Sequence, residues 1–573
     1  MTRRSGRLAV LAALVALLPG LVACSTVPEE SATVQITQAP QRPPEDVGIE
    51  PRPPEAGATT EEIVRGFIEA AASTLAGHPV ARQHLTEQAA ESWSDEAGIS
   101  VISPSFAVVT GDEGSVTVTA DLVGTVDQRG IFAVGGTGEF TRVFNLEEVE
   151  GEWRISNPPD GLILLQPDFE RLYHRRQAYF LDPTVQRVVP DPRYLITGDA
   201  QPTVLVLQLL AGPSSSLAAG VRNPLAGVQL RSTITVAGQT AVVDLTGLDT
   251  EPAPLLEEIS PQLVWTLTQL PGIRSVEVRV DGDAVRLDGA PAEQTTENWA
   301  SFDPDAVPVD GVGHYIDNGA LRVVTEGVSV QTPAGDGRYG LASAAVKAEP
   351  RTGELSFLVG VRTVDGRAQL LAGPYDGNLA VVLDEATLTA PTVAATRSEA
   401  WVVRNGTEIV RVPAGASPLP VDAPTLPGLG RTDVLELSPD GVRAAVVVDS
   451  TLYVGTVVRT EGGSVVLRDL RAIAPSLSQV VDVAWRDSAQ LLVLAGDAGE
   501  DRTDPYTVGV DGWGLDDVST SGLPTQPTSV AAAPARQPLV SAGNTIWQLA
   551  GGTWVTLERG AEPRPGTAPF FPL

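Results

Sequence analysis

The hydrophobic positions change period along the chain, and the first folded region combines helical spacing with strand alternation. Thr59-Thr-Glu-Glu62 resembles a capping box, and hydrophobic residues then recur at helical spacing over residues 63–75. A second helix is expected over residues 81–93. Alternation at period two predicts strands over residues 115–121, 138–145 and 151–155. The pattern indicates an N-terminal α+β domain over residues 58–166.

This N-terminal domain is similar to the nuclear-transport-factor-two-like fold, in which helices cover a curved antiparallel sheet. Domains of that kind often enclose a ligand pocket. The residues expected to line the pocket here are aliphatic, which favours a filled core, with a ligand pocket as the alternative.

The next region, residues 167–295, alternates helices and strands. The apolar residues 202–213 predict a helix that ends at Gly212-Pro213, because proline cannot continue a helix. A second helix is predicted over residues 255–270. Strands are predicted over residues 240–245 and 275–282. Two helices against a small sheet predict an α/β sandwich.

Residues 300–573 are all-β by pattern. Similar units begin near Leu341, Leu388, Val434, Val481 and Thr528. A sustained repeat within the 40–50-residue range is typical of propeller blades. We expect one closed β-propeller of six or seven blades, with its first unit near residues 313–327. A pair of packed β-sandwich sheets is the alternative.

The N-terminus has the features of a lipoprotein signal peptide. Arg3, Arg4 and Arg7 precede an apolar run over residues 8–18, which is too short to span a membrane as a helix. Leu21-Val22-Ala23-Cys24 then resembles a bacterial lipobox. We expect cleavage after residue 23 and an S-diacylglyceryl group on Cys24, with or without an N-linked palmitate. A plain secretory peptide or an uncleaved anchor is the alternative.

The predicted lipid would hold the protein at the outer, extracytoplasmic face of the cell membrane. Residues 24–57 are rich in proline, glutamate, glutamine and threonine, which predicts an extended tether between the membrane and the first domain.

Basic and aromatic residues cluster where the first two domains meet. Residues 167–182 and 189–194 are rich in arginine and tyrosine in an otherwise acidic chain. Such residues often hold neighbouring domains together. We therefore favour an interdomain latch here, with a recognition edge as the alternative.

Composition excludes several chemistries. The formal net charge of -32 opposes binding to nucleic acid. Cys24 is the only cysteine, so neither an internal disulfide nor a thiolate zinc cluster can form, and the four histidines lack metal-site spacing. No nucleophile elbow, dinucleotide fingerprint or EF-hand loop occurs. We predict no enzyme activity, catalytic residue, cofactor or metal, although paired carboxylates in a propeller funnel could still cleave a glycan.

Several motifs of the middle region resemble the GerMN domain of spore-germination proteins. They are Leu209-Leu-Ala-Gly-Pro213, Val243-Asp-Leu245, Gln262-Leu-Val-Trp-Thr-Leu-Thr-Gln269 and Val280-Asp-Gly282. The GerMN motifs are structural and imply no catalytic group.

A lipobox, a proline-rich tether, an α+β domain, a GerMN-like domain and a propeller follow one another as in the LpqB lipoproteins of actinobacteria. That resemblance implies an accessory role to the extracytoplasmic domain of the sensor kinase MtrB, in an MtrAB-type two-component system for envelope homeostasis and division. A propeller protein that binds or cleaves cell-wall glycan is the alternative.

Overall fold

The computed structural model describes residues 51–136, 138–248, 254–308, 311–325, 330–349, 352–496, 502–558 and 562–573. Gly48–Leu573 form one compact unit. The predicted signal peptide, Cys24 and most of the predicted tether lie outside the described residues.

The N-terminal region is a curved sheet covered by helices. Its helices are α1 (Thr60–Ala71), α2 (Pro79–Arg82) and α3 (Glu87–Ser92). Its strands are β1 (Ile99–Thr110), β2 (Ser115–Val126), β3 (Phe132–Val134), β4 (Glu139–Val149), β5 (Glu152–Ile155) and β6 (Leu162–Leu165). The sheet order is β5-β4-β2-β1-β6, and β3 pairs with β2. The predicted α+β class is confirmed.

The first helix begins at the predicted capping box. The Thr59 side chain accepts a hydrogen bond from the Glu62 backbone N–H, and the Glu62 carboxylate accepts one from the Thr59 backbone N–H at 2.8 Å. The buried face of α1 carries Ile63, Phe67 and Ile68. The Phe67 ring lies 5.2 Å from that of Trp93 and 6.2 Å from that of Phe144. These rings and the aliphatic side chains of α1 belong to one hydrophobic core against the sheet, which is the filled core that the sequence favoured.

The prediction of a single helix over residues 81–93 is wrong, because the structure has two short helices, α2 and α3, in this part of the chain. Backbone groups between them pair with β5: the Thr86 N–H donates to the Ile155 carbonyl at 2.9 Å, and the Ile155 N–H donates to the His84 carbonyl at 2.9 Å. The Thr86 side chain then caps α3 by accepting from the Ala89 N–H. Long-range pairing with β5 therefore interrupts a locally helical pattern.

The middle region is the predicted α/β sandwich. It contains α4 (Gln166–Leu172), β7 (Tyr173–Leu181), β8 (Val188–Ile196), α5 (Gln201–Leu210), β9 (Gln229–Leu230), β10 (Thr235–Ala237), β11 (Thr240–Thr246), α6 (Pro254–Thr268), β12 (Ser275–Val280), β13 (Asp283–Ala284) and β14 (Glu293–Gln294). Strands β11 and β12 pair in parallel, and α5 and α6 pack on one core with them. Strands β7 and β8 form a separate hairpin.

The remaining residues form the predicted β-propeller. Within the described part of this region there are six sheets, five of which follow the chain order. The first three of these are β17 (Ser343–Ala348), β18 (Leu355–Val364), β19 (Arg367–Pro374), β20 (Ala380–Glu385); β21 (Thr392–Val393), β22 (Glu399–Arg404), β23 (Glu408–Pro413), β24 (Leu419–Val421); and β25 (Thr432–Leu437), β26 (Arg443–Val448), β27 (Thr451–Arg459), β28 (Val465–Ala472), with α7 (Leu426–Leu429) between the second and third.

The next two sheets repeat the same meander. They are β29 (Ser478–Asp487), β30 (Gln490–Gly496), β31 (Thr503–Gly509), β32 (Asp516–Asp517); and β33 (Pro527–Ala531), β34 (Leu539–Ala542), β35 (Thr545–Ala550), β36 (Thr553–Thr556), with β37 (Arg564–Pro565) paired to β35.

The sixth sheet joins distant parts of the chain and closes the ring. It contains β15 (His314–Asp317), β16 (Ala320–Val323) and β38 (Thr567–Phe570). Beyond β38, the Leu573 N–H donates to the Val346 carbonyl at 3.1 Å, and the Ala348 N–H donates to the Leu573 carbonyl at 2.7 Å. The sixth sheet is therefore bonded to the sheet that begins at β17, which closes the ring of blades and leaves only short sheet edges.

Candidate functional site at the domain junction

The β7–β8 hairpin is held to helix α6 by side chains that substitute for a neighbouring strand. Gln262 donates to the Tyr179 carbonyl at 2.9 Å, and Thr266 accepts from the Tyr179 N–H at 3.1 Å. Gln269 both donates to the Gln177 carbonyl at 2.6 Å and accepts from its N–H at 2.8 Å. Gln262 and Thr266 lie four residues apart on one face of α6, and Gln269 directly follows the last residue of the helix. The GerMN-like motif at 262–269 therefore satisfies the polar edge of β7.

A buried ion pair lies at the centre of the hairpin. Arg193 is 0% exposed, and its guanidinium donates to the Asp191 carboxylate at 3.0 Å and to the Gly212 carbonyl at 3.2 Å. The same carboxylate accepts from the Ser214 backbone N–H at 2.6 Å. Removing one partner would leave an uncompensated buried charge. This ion pair ties β8 to the segment that follows α5.

An aromatic cluster joins the hairpin to the N-terminal domain and to the propeller. The Trp513 ring lies 5.0 Å from Phe132, 4.9 Å from Phe169 and 5.9 Å from Tyr194. The Tyr194 hydroxyl donates to Asp511 Oδ2 at 2.9 Å. Burial, followed by the charge of Asp511, holds the pKa of Tyr194 well above its usual range, and burial raises the pKa of Asp511.

The turn of the hairpin reaches the propeller and the segment that precedes it. Asp182 Oδ1 accepts from the Gln186 and Arg187 backbone N–H groups, each at 2.7 Å, which shapes the turn. Arg187 donates to the carbonyls of Pro304 and Ala306 at 3.2 and 2.6 Å. Burial lowers the pKa of Arg187, while carboxylates that include Asp440 of the propeller oppose that shift.

Two further hydrogen bonds connect the propeller to the middle region. Arg443 donates to the Pro190 carbonyl at 2.5 Å, and the Thr456 hydroxyl donates to the Ser216 carbonyl at 2.6 Å. Gly220 packs so closely that an added Cβ would lie 2.4 Å from Thr456 Cγ2. The basic and aromatic segment is therefore an interdomain latch, which confirms that prediction. On its outer side His174 is exposed, and Arg171 pairs with Asp168 at 2.7 Å.

The centre of the propeller holds a cavity of about 150 Å³ with two carboxylates in its wall. Glu436 accepts from the Thr392 hydroxyl at 2.8 Å, and Asp482 accepts from the Val530 N–H at 2.8 Å. Each bond crosses from one sheet to another. Burial raises the pKa of Glu436 to about 8 and that of Asp482 to about 7, because the cavity disfavours the charged forms.

Sequence reasoning missed Asp511, Trp513, Glu436 and Asp482. The Val510-Asp-Gly-Trp-Gly514 segment carries a turn signal, yet its aromatic partners come from residues hundreds of positions away. The two cavity carboxylates sit in ordinary strand patterns. An enzyme that cleaves glycan is expected to have two carboxylates in a central depression of the propeller, and Glu436 and Asp482 lie in the wall of this cavity.

Comparisons with known proteins cover nearly the whole chain. The model for the N-terminal domain of lipoprotein LpqB matches residues 53–170, the Germane model for sporulation and spore germination matches 177–286, and the LpqB β-propeller model matches 320–572. Lipoprotein LpqB of Rhodococcus jostii is 31% identical over 572 residues, which are 94% of this chain and 93% of the relative. The chain belongs to the LpqB lipoprotein family. Lipoprotein LpqB of Mycobacterium tuberculosis is 31% identical over 92% of each chain.

Family membership confirms the resemblance stated from sequence, together with the GerMN-like and propeller folds. The LpqB relatives carry the name of a lipoprotein and not of an enzyme, which favours a non-enzymatic role for this LpqB-family chain. No helix among the described residues is both long and apolar enough to cross a bilayer.

Proposed function

We propose that this LpqB-family chain is a lipoprotein held at the extracytoplasmic face of the cell membrane by a lipid on Cys24. Three observations support the proposal: the family is one of lipoproteins, Leu21-Val22-Ala23 precede the cysteine, and the chain has no other cysteine. Two acyl chains would anchor the protein stably, at about 0.8 kcal/mol per buried methylene.

The anchored protein acts by binding the extracytoplasmic domain of a sensor histidine kinase of the MtrB kind. Through that contact it modulates a two-component system for envelope homeostasis and division. The observation that carries this role is the latch. Buried bonds such as Tyr194–Asp511 and Arg443–Pro190 hold three folded regions in one unit, and a preorganised surface lowers the entropic cost of binding a partner. Tethering raises the effective concentration of the two proteins.

The direct test is a pull-down of the purified kinase domain by residues 24–573 carrying Cys24→Ala. Deletion of the gene, with output of the two-component system as the readout, tests the regulatory consequence. We expect capture of the kinase domain and a changed output. Absence of both results would reject the role.

A second candidate is recognition or cleavage of cell-wall glycan. The observation that favours it is the pair Glu436 and Asp482 in the propeller cavity. Against it, both carboxylates bond to groups of neighbouring sheets. The test is digestion and binding of purified peptidoglycan by the wild type and by Glu436→Gln/Asp482→Asn. Release of glycan fragments by the wild type alone would support cleavage.

A further inference from the structure

A cleft of about 510 Å³ lies between the N-terminal sheet and two loops of the propeller. Phe132 and Val134 of β3 form one wall, and Trp513 and Leu515 belong to the other. A volume of this size falls within the usual range of ligand sites, which often occur where domains meet. The cleft is separate from the cavity at the propeller centre.

The two walls of the cleft are held in place. The Trp513 backbone N–H donates to Asp511 Oδ1 at 3.2 Å, and its carbonyl accepts from the Gly509 N–H at 2.9 Å. A Cβ added to Gly512 would lie 2.9 Å from Val134 Cβ, so the loop contacts β3 closely. Trp513 is thus a rigid, half-buried aromatic group, which is the type of residue that dominates binding energy at protein interfaces.

The rim of the cleft is acidic. Asp121 and Glu170 lie on the N-terminal side and Asp516 on the propeller side, and all three are exposed. Among the residues that the structure describes, those that line the cleft include no lysine, arginine or histidine. Because the carboxylates lie on both sides of an apolar floor, they complement a peptide with several positive charges along its chain. They complement a ligand with one isolated amine less well.

We propose that this cleft binds a basic peptide segment of a protein partner, with an aliphatic or aromatic side chain of that segment on the Trp513 floor. The net charge of -32 already disfavours acidic partners. The inference deepens the proposed function, on which it rests, because it assigns the partner-binding surface and the chemistry that the surface recognises.

The test compares two triple variants of residues 24–573 that also carry Cys24→Ala. The cleft variant is Asp121→Asn/Glu170→Gln/Asp516→Asn. The control is Asp283→Asn/Asp365→Asn/Glu461→Gln, which makes the same chemical changes at exposed positions outside the cleft. The probe is a fluorescein-labelled peptide of alternating arginine and leucine that carries one benzophenone residue. Fluorescence anisotropy is measured at about 0.15 M salt, where the Debye length is about 8 Å.

We expect the cleft variant to bind the peptide about tenfold more weakly than the wild type, and the control to differ less than about twofold. Crosslinks should map to residues 132–136 and 512–516. Equal weakening by both variants, or crosslinks elsewhere, would overturn the proposal. The purified kinase domain is titrated in parallel. If it binds the wild type and the cleft variant with equal affinity, the cleft is not the kinase-binding surface, and only the cleft proposal is rejected. If the wild type binds the peptide but not the kinase domain, only the proposed kinase role is rejected.

Discussion

The hydroxyl of Tyr194 donates a 2.9 Å hydrogen bond to Asp511 Oδ2 across 317 residues of sequence. Both side chains are buried, so the bond links the interior of the β7–β8 hairpin to that of the propeller. We predict that Tyr194→Phe lowers the free energy of unfolding by about 1–3 kcal/mol, since the carboxylate loses a partner.

The measurement is urea unfolding followed by tryptophan fluorescence, because Trp513 lies beside Tyr194. Tyr453→Phe is the matched control, since the Tyr453 hydroxyl has no hydrogen bond in the described part of the chain. A midpoint for Tyr194→Phe equal to that of the control would show that the bond contributes nothing to stability.

The packing at Gly220 predicts a steric effect on the contact between propeller and middle region. An added Cβ would meet Thr456 Cγ2 at 2.4 Å and Val442 Cγ1 at 3.1 Å. Gly220→Ala should destabilise the protein by about 1–3 kcal/mol through overpacking. Gly198→Ala, which meets nothing within 4 Å, should stay within about 0.5 kcal/mol of the wild type. The measurement is the melting temperature of each variant in thermal unfolding. Similar melting temperatures for Gly220→Ala and Gly198→Ala would contradict the close contact at Gly220.

The cavity carboxylates predict a pH dependence of stability. The pKa values of Glu436 and Asp482 are raised to about 8 and about 7 in the folded protein, above unfolded values of about 4. The native state therefore holds more protons, and stability falls as pH rises from about 4 through about 8.

Glu436→Gln should flatten this fall, because an amide does not ionise. Melting temperatures at pH values from about 5 to about 9 provide the measurement. The exposed-site variant Asp365→Asn should keep the wild-type slope. A wild-type slope in Glu436→Gln would mean that the Glu436 carboxylate does not contribute to the pH dependence.

Closure by β38 predicts that the propeller depends on its last strand. Truncation after Gly566 removes one of the two strands paired with β15 and the backbone bonds between Leu573 and β17. We expect the free energy of unfolding to fall by more than about 4 kcal/mol, which is beyond the range of most single substitutions. We also expect rapid proteolysis inside residues 300–566. Unchanged resistance to protease would argue against closure by this strand.

Anchoring predicts that Cys24→Ala releases the protein from membranes and abolishes labelling by a fatty-acid probe. The reason is loss of the only thiol in the chain. Cell fractionation is the measurement, and Ser25→Ala is the control because it keeps the thiol. If the Cys24→Ala protein remained fully membrane-bound, another attachment would have to account for it.

The sequence by itself determined the features whose hydrogen bonds are local. The Thr59–Glu62 capping box bonds within one helical turn. The polar turn at residues 438–441 belongs to one of the repeated units, and in it the Gly441 N–H donates to the Ser438 carbonyl at 2.8 Å. Hydrophobic period therefore predicted the class of each region, and the repeated units predicted the propeller.

Only the tertiary structure decided the features that depend on distant partners. The helix expected over residues 81–93 is broken because residues 84–86 pair with Ile155. The ring closes because β38 joins β15, and the latch exists because Tyr194 meets Asp511. The physical reason is that a hydrogen bond between remote residues leaves no periodic trace in the chain, since its energy depends on where folding brings the two groups.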